Sequence, residues 1–242
     1  MDAFDWNTQQ GIEMIIVNLH ARPELVGAAI HQGFDPTRTF FHGLSILSVA
    51  ASHGIPILEA VVRGVGDVDL RDDDGTTGLM NAIVARDASL VRYYLSKGAS
   101  VECQDDCGQT ALHYAADVNV PSEVVRDVCE HATAVALGST AYKLYTPLVT
   151  SIRLGAGGAF EELLRAHVGL GVSVSHPPQP GIPTPLQVAV RHREKAFATA
   201  LIRAGADASE AGEGGVSALD DVAWLLPEEQ TVWKRIITGK NA

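Results

Sequence analysis

The residues with the most chemistry to offer fall into three groups. Cys103, Cys107 and His113 lie within one short stretch. Thiolate and imidazole are zinc ligands, but a fourth ligand is missing, so no metal site is expected. The run Gly155-Ala156-Gly157-Gly158 is rich enough in glycine to cradle a phosphate. No strand precedes it, so it reads as a turn between helices. The third group is diffuse: Asp117, Tyr142, Tyr145, Arg153 and His192 carry side chains suited to acid–base work. No nucleophile elbow, phosphate loop or H-E-x-x-H pair accompanies them. No cofactor is implied.

Composition narrows the classes. Eighteen lysines and arginines against 29 aspartates and glutamates give a net charge of −11. That opposes general binding to nucleic acid or anionic lipid, which rests on neutralising phosphates. No apolar run approaches the roughly 20 residues of a membrane span, so no membrane insertion is expected. The start, Met1-Asp2-Ala3-Phe4-Asp5-Trp6, is acidic and unlike a signal peptide. Three cysteines cannot close a disulfide framework. Free thiols suit a reducing intracellular compartment, cytoplasmic or nuclear.

The elements that position these residues are announced by self-similarity. Gly75-Thr76-Thr77-Gly78-Leu79-Met80-Asn81-Ala82 matches Gly108-Gln109-Thr110-Ala111-Leu112-His113-Tyr114-Ala115 at an offset of 33. Related starts recur at Ile12, Ser45, Thr146, Thr184 and Ser217. Between them run apolar residues at helical spacing, closed by a glycine such as Gly33, Gly98 or Gly205. A period near 33 with this motif resembles the ankyrin repeat, in which a T-P-L-H-x-A helix start is followed by a second helix and a projecting turn. Thr146-Pro147-Leu148 and Thr184-Pro185-Leu186 carry the motif most fully.

The resemblance implies an all-α ankyrin-repeat solenoid occupying one domain, 1–242. Its units lie near 5–36, 37–69, 70–104, 105–138, 139–176, 177–211 and 212–242. The terminal ones are degenerate. Stacking is expected to bury Leu79, Leu112, Leu148, Leu186 and Leu219 in one ladder. Val91, Leu95, Leu163, Leu164, Leu201 and Ile202 would form a second. Thr77, Thr110, Thr146 and Thr184 read as helix caps. His113 reads as a bridge between units. Extra residues before Thr146 (132–144) and before Thr184 (172–183) are expected to be added loop.

Function in the resembled family lies on a concave groove lined by turn tips and first-helix ends. Carried over position by position, the tips are Phe41, His42, Asp73, Asp74, Asp106, Tyr142 and Tyr145. The helix ends are His53, Asp117, Arg153, Arg191, His192 and Trp224. The groove is then acidic in its middle and basic at Arg153 and Arg191, with Phe41, Tyr142, Tyr145 and Trp224 as aromatic anchors. This implies recognition of another protein without catalysis. A second reading makes the two insertions the walls of a small-molecule pocket around Tyr142, Tyr145, Arg153, His192 and Asp117, with acid–base chemistry inside.

Overall fold

The structure, a computed structural model, describes residues 5–19, 21–39, 43–141, 145–175 and 182–239. Among these residues the regular structure is helical, apart from two isolated bridges, Arg71 to Thr77 and Ala211 to Ser217. Backbone packing divides the chain into two compact units, 1–106 and 107–242.

The first unit holds three helix pairs: α1 (Gln9–Asn18) with α2 (Leu25–His31), α3 (Ile46–Ser52) with α4 (Ile55–Val65), and α5 (Gly78–Val84) with α6 (Ala88–Ser96). The second unit holds four more: α7 (Ala111–Ala115) with α8 (Ser122–Cys129), α10 (Pro147–Leu154) with α11 (Gly157–Gly169), α12 (Pro185–Arg191) with α13 (Lys195–Arg203), and α14 (Ala218–Ala223) with α15 (Pro227–Thr238). A short additional helix, α9 (Ala134–Gly138), lies between α8 and α10. In this unit the first helices stack in the order α7, α10, α12, α14. The second helices stack in the order α8, α11, α13, α15. Among the described residues of this unit the principal helix–helix contacts join neighbouring pairs, as in a quasi-one-dimensional array.

The recurrent Ser and Thr start every one of these pairs except the first. Ser45, Thr77, Thr110, Thr146, Thr184 and Ser217 are all N-cap residues with extended backbone. At Thr184, the hydroxyl accepts from the Gln187 amide (3.1 Å) while Gln187 Oε1 accepts from the Thr184 amide (3.0 Å). That reciprocal box satisfies two of the donors a helix start leaves open. The mark at Ile12 is a correction: Ile12 lies inside α1, and the cap is Thr8, whose hydroxyl accepts from the Gly11 amide (3.2 Å). An isoleucine has no oxygen to cap with, so the first pair starts earlier than the repeat spacing suggests.

Leu79, Leu112, Leu148 and Leu186 are buried, as are Val91, Leu95, Leu163 and Leu201. Leu164 and Ile202 are only half-buried. Leu219 departs from expectation, remaining 38% exposed. Its helix α14 packs on α12, and among the described residues no further first helix covers its other side. The last pair is instead anchored by Trp233 and Ile237 of α15, both buried.

The insertion before Thr146 is also corrected: it is not simply added loop. The Thr133 hydroxyl accepts from the Ala136 amide (3.0 Å) and starts α9. Ala136 and Leu137 are buried, and α9 packs against α10 and α11. The segment adds core to the second unit. Much of the insertion before Thr184 (176–181) lies outside the described residues.

One buried titratable group is expected to make the second unit sensitive to acid. His167 is 5% exposed, and its Nδ1 lies 2.8 Å from the Leu163 carbonyl. Burial holds its pKa below the ordinary histidine value. The unfolded chain therefore takes up a proton that the folded state resists. The stabilisation is complete above the unfolded value of about 6.5 and declines as pH falls below it. Denaturant midpoints of the second unit should drop across that window, and His167→Gln should flatten the drop. An unchanged slope would assign the acid sensitivity to other groups.

Candidate functional site

The first unit presents a projecting turn whose geometry is set by its own aspartates. The Asp72 amide donates to the Thr76 carbonyl (3.0 Å) and the Gly75 amide to the Asp72 carbonyl (2.9 Å). Gly75 has φ +75, the left-handed conformation that favours glycine. The Asp72 carboxylate accepts from the amides of Asp74 (3.1 Å) and Thr76 (2.8 Å), from the Thr76 hydroxyl, and from Asn81 Nδ2 (3.3 Å). Asp72 is thus a turn-forming residue, its charge occupied locally.

Asp73, Asp74 and Asp106 differ. Their backbones are pinned from tip to tip: the Asp73 amide donates to the Gly43 carbonyl (2.9 Å) and the Asp106 amide to the Asp74 carbonyl (3.1 Å). Their side chains are exposed. Arg71 reaches Asp106 at 3.6 Å, but both groups are solvated, so the pair adds little. Arg71 also donates to the carbonyls of Gly75 (2.9 Å) and Gln104, which fixes it under the tip. An open depression of about 570 Å3 lies beside this turn, bordered by Asp67, Asp69, Asp72, Asp73 and Asp106, with Arg71. Burial, with repulsion from Asp67, pushes the Asp69 carboxyl above its ordinary value, against the pull of the Ser100 amide that it accepts. Asp67 and Asp69 were not foreseen as part of the site; their signal was the Asp-x-Asp spacing just upstream of the tip. His53 caps the C-terminus of α3 and is exposed.

The second unit is organised by two equivalent polar bridges. His113 Nδ1 accepts from the Thr110 amide (3.1 Å), so its Nε2 carries the hydrogen and donates to the Tyr145 carbonyl (3.0 Å). Gln187 repeats this two helix pairs further on, donating to the Val216 carbonyl (2.9 Å). Each acceptor immediately precedes the next cap residue, so the bridge sets the register of neighbouring pairs. Both ring nitrogens of His113 are therefore spent on structure. Burial pushes the Cys129 thiol up to about 12 and raises that of Cys103, so neither is an activated nucleophile at neutral pH.

Of the residues expected in a pocket, Tyr145 and Arg153 are brought together. The Arg153 guanidinium lies 4.2 Å from the centroid of the half-buried Tyr145 ring, a cation–π contact. Asp117 accepts from the Asn119 amide (2.9 Å) and side chain (3.1 Å), a turn role. His192 ends α12 and is exposed. Trp224 ends α14 and is 85% exposed, with Leu226 nearby in sequence also exposed. Phe41, His42 and Tyr142 lie outside the described residues.

Arg191 requires a correction. It was expected as free basic surface, yet Nη1 meets Glu213 (2.6 Å) and Nε meets Asp221 (3.0 Å). Two carboxylates against one guanidinium leave this spot net acidic. The partners lie 22 and 30 residues away in sequence, Glu213 in the turn that leads into α14 and Asp221 in α14 itself, so spacing gives no sign of them.

Comparison with known proteins agrees with this geometry. A sequence profile described as ankyrin repeats (three copies) matches residues 47–137 and 79–176. The chain is 37% identical over 73 residues to the mouse NF-kappa-B inhibitor delta, covering 29% of this chain and 22% of that protein. It is 27% identical over 107 residues to the mouse RelA-associated inhibitor, covering 42% of this chain and 13% of that protein. The chain thus spans less than a quarter of the length of either curated relative. Among solved structures, the ankyrin repeat domain of Bcl-3, described as a member of the IkappaB protein family, superposes with a TM-score of 0.73 at 20% identity. That match covers 93% of this chain and 97% of the other.

Proposed function

The chain belongs to the ankyrin-repeat family, and from that premise we propose that it is a non-catalytic protein-recognition module of the cell interior. The observation that carries this is the acidic tip of the first unit. Asp73, Asp74 and Asp106 hang exposed carboxylates on a backbone that is hydrogen-bonded from tip to tip. A pre-organised surface loses little freedom on binding. Its charge selects a partner that brings a basic segment. Two relatives are named as inhibitors, one of them associated with RelA, which fits action through other proteins. In the second unit, the Tyr145–Arg153 pair and Trp224 supply the aromatic and guanidinium groups that dominate binding hot spots.

Affinity capture from native lysate, with small molecules extracted alongside proteins, tests the class of ligand. For a protein retained in this way, replacing Asp73, Asp74 and Asp106 together by Asn should slow association roughly tenfold at low ionic strength. It should also flatten the salt dependence that the wild type shows as the Debye length shrinks to about 8 Å. An unchanged rate would return these residues to a solvated-turn role. A discrete retained metabolite with no retained protein would displace the proposal altogether.

A further inference from the structure

The inner-helix face of the first unit carries a second feature that the acidic tip does not explain. Between α3 and α5 lies a cavity of about 250 Å3, walled by Leu44, Ala51, Ala82, Ala85 and Asn81, with Tyr94 at its base. It exists because the side chains there are small. Ala51 is half-buried, Ala82 buried and Ala85 exposed, and none reaches far enough to close the gap between the two helices.

Its volume falls below the roughly 300–1,000 Å3 typical of small-molecule sites and suits a single side chain. Polar groups at the wall are already engaged. The Ser52 hydroxyl donates to the Val49 carbonyl (2.7 Å), and the Asn81 amide donates to Ser48 Oγ (3.2 Å) and to Asp72 Oδ2 (3.3 Å). With the Ser52 and Asn81 donors engaged and alanine and leucine side chains forming much of the wall, the cavity favours an apolar entering group. Leu44 in the wall is itself 37% exposed, and Val84, the residue before Ala85 in sequence, is 59% exposed. The Asn81–Asp72 contact joins this cavity directly to the acidic turn. Asn81 walls the one, and Asp72 borders the other.

We propose that the cavity between α3 and α5 is the anchor pocket of the recognition surface. Its occupant is a large apolar side chain of a protein segment whose flanking lysines or arginines meet Asp73, Asp74 and Asp106. This rests on the recognition reading above and specifies its partner. Apolar burial supplies affinity at one point, and the neighbouring carboxylates select for positive charge beside it.

Fluorescence anisotropy with defined peptides tests it. The probe is a labelled peptide containing Lys-Arg-Leu-Lys-Arg. A matched peptide has Ala for the Leu, and another has Glu for every Lys and Arg. Wild-type protein should bind the first, lose about tenfold in affinity with the second (1.4 kcal/mol) and fail to bind the third. Ala51→Leu should fill the cavity and abolish the difference between the Leu and Ala peptides. Ala85→Leu, at an exposed position, should do the same if Ala51→Leu perturbs folding, which circular dichroism would reveal. Equal Leu and Ala affinities in the wild type, with charge dependence retained, would overturn the anchor pocket and leave the acidic recognition surface standing. An anchor effect undiminished in both filled variants would likewise place the apolar contact elsewhere. Tight binding of the Glu peptide, or no binding of any peptide, would overturn both readings.

Discussion

Leu112→Ala is expected to destabilise the second unit by about 2–5 kcal/mol. Leu112 is fully buried in α7, which packs on α8 within its pair and on α10 of the next. Truncation removes buried apolar area and leaves a cavity that stiff neighbouring helices close only in part. Because the principal contacts among the described residues of this unit join neighbouring pairs, the loss should be local. Native-state hydrogen exchange should quicken most in α7, α8 and α10, and least in α14 and α15. Uniform quickening across the second unit would mean that it opens as one body. No quickening near Leu112 would contradict the stacking order itself.

Trp233→Ala should cost about 3–5 kcal/mol, the range for removing a large buried aromatic. Trp233 is completely buried in α15, which packs on α13 and α14. It holds the terminal pair, where Leu219 contributes less than its counterparts. Trp233→Phe should behave quite differently. Among the described residues, the indole Nε1 is buried without a hydrogen-bond partner. Leaving such a donor unsatisfied costs about 1–3 kcal/mol, and phenylalanine removes that cost along with some apolar area. The two effects oppose each other, so the phenylalanine variant should lie within about 1.5 kcal/mol of wild type. Denaturant melts of the three proteins decide the matter. A Phe variant as damaged as the Ala variant would show that the indole nitrogen has a partner after all.

Arg191 and the 132–144 insertion owe their structural roles to neighbours that are distant in sequence. A charge at a groove position looks available until its partners are known. Glu213 and Asp221 become neighbours of Arg191 only when the next helix pair docks. The insertion was visible as a stretched period, but length alone does not tell loop from helix. The Thr133 cap and the buried Leu137 settle it, and burial of Leu137 depends on α10 and α11 being in place. Ile12 differs for a third reason: the first pair starts at Thr8, off the spacing that the later pairs share.

What the chain order determined by itself is what lies within a few residues. The hydroxyls of Ser45, Thr77, Thr146, Thr184 and Ser217 act on amides three positions on, and the Thr110–His113 and Thr184–Gln187 contacts span the same distance. Such contacts form wherever the backbone turns helical, so their residue types recur at each start and are legible as a period. The cavity between α3 and α5 is of the other kind. Ala51 and Ala82 are ordinary helix residues in isolation, and no local rule distinguishes them from the core. Only the packing of α3 against α5 brings their short side chains to one gap, beside a turn where Asp72 reaches Asn81. Tertiary structure decides such a site because a void is a property of two surfaces and their separation, and neither helix carries it alone.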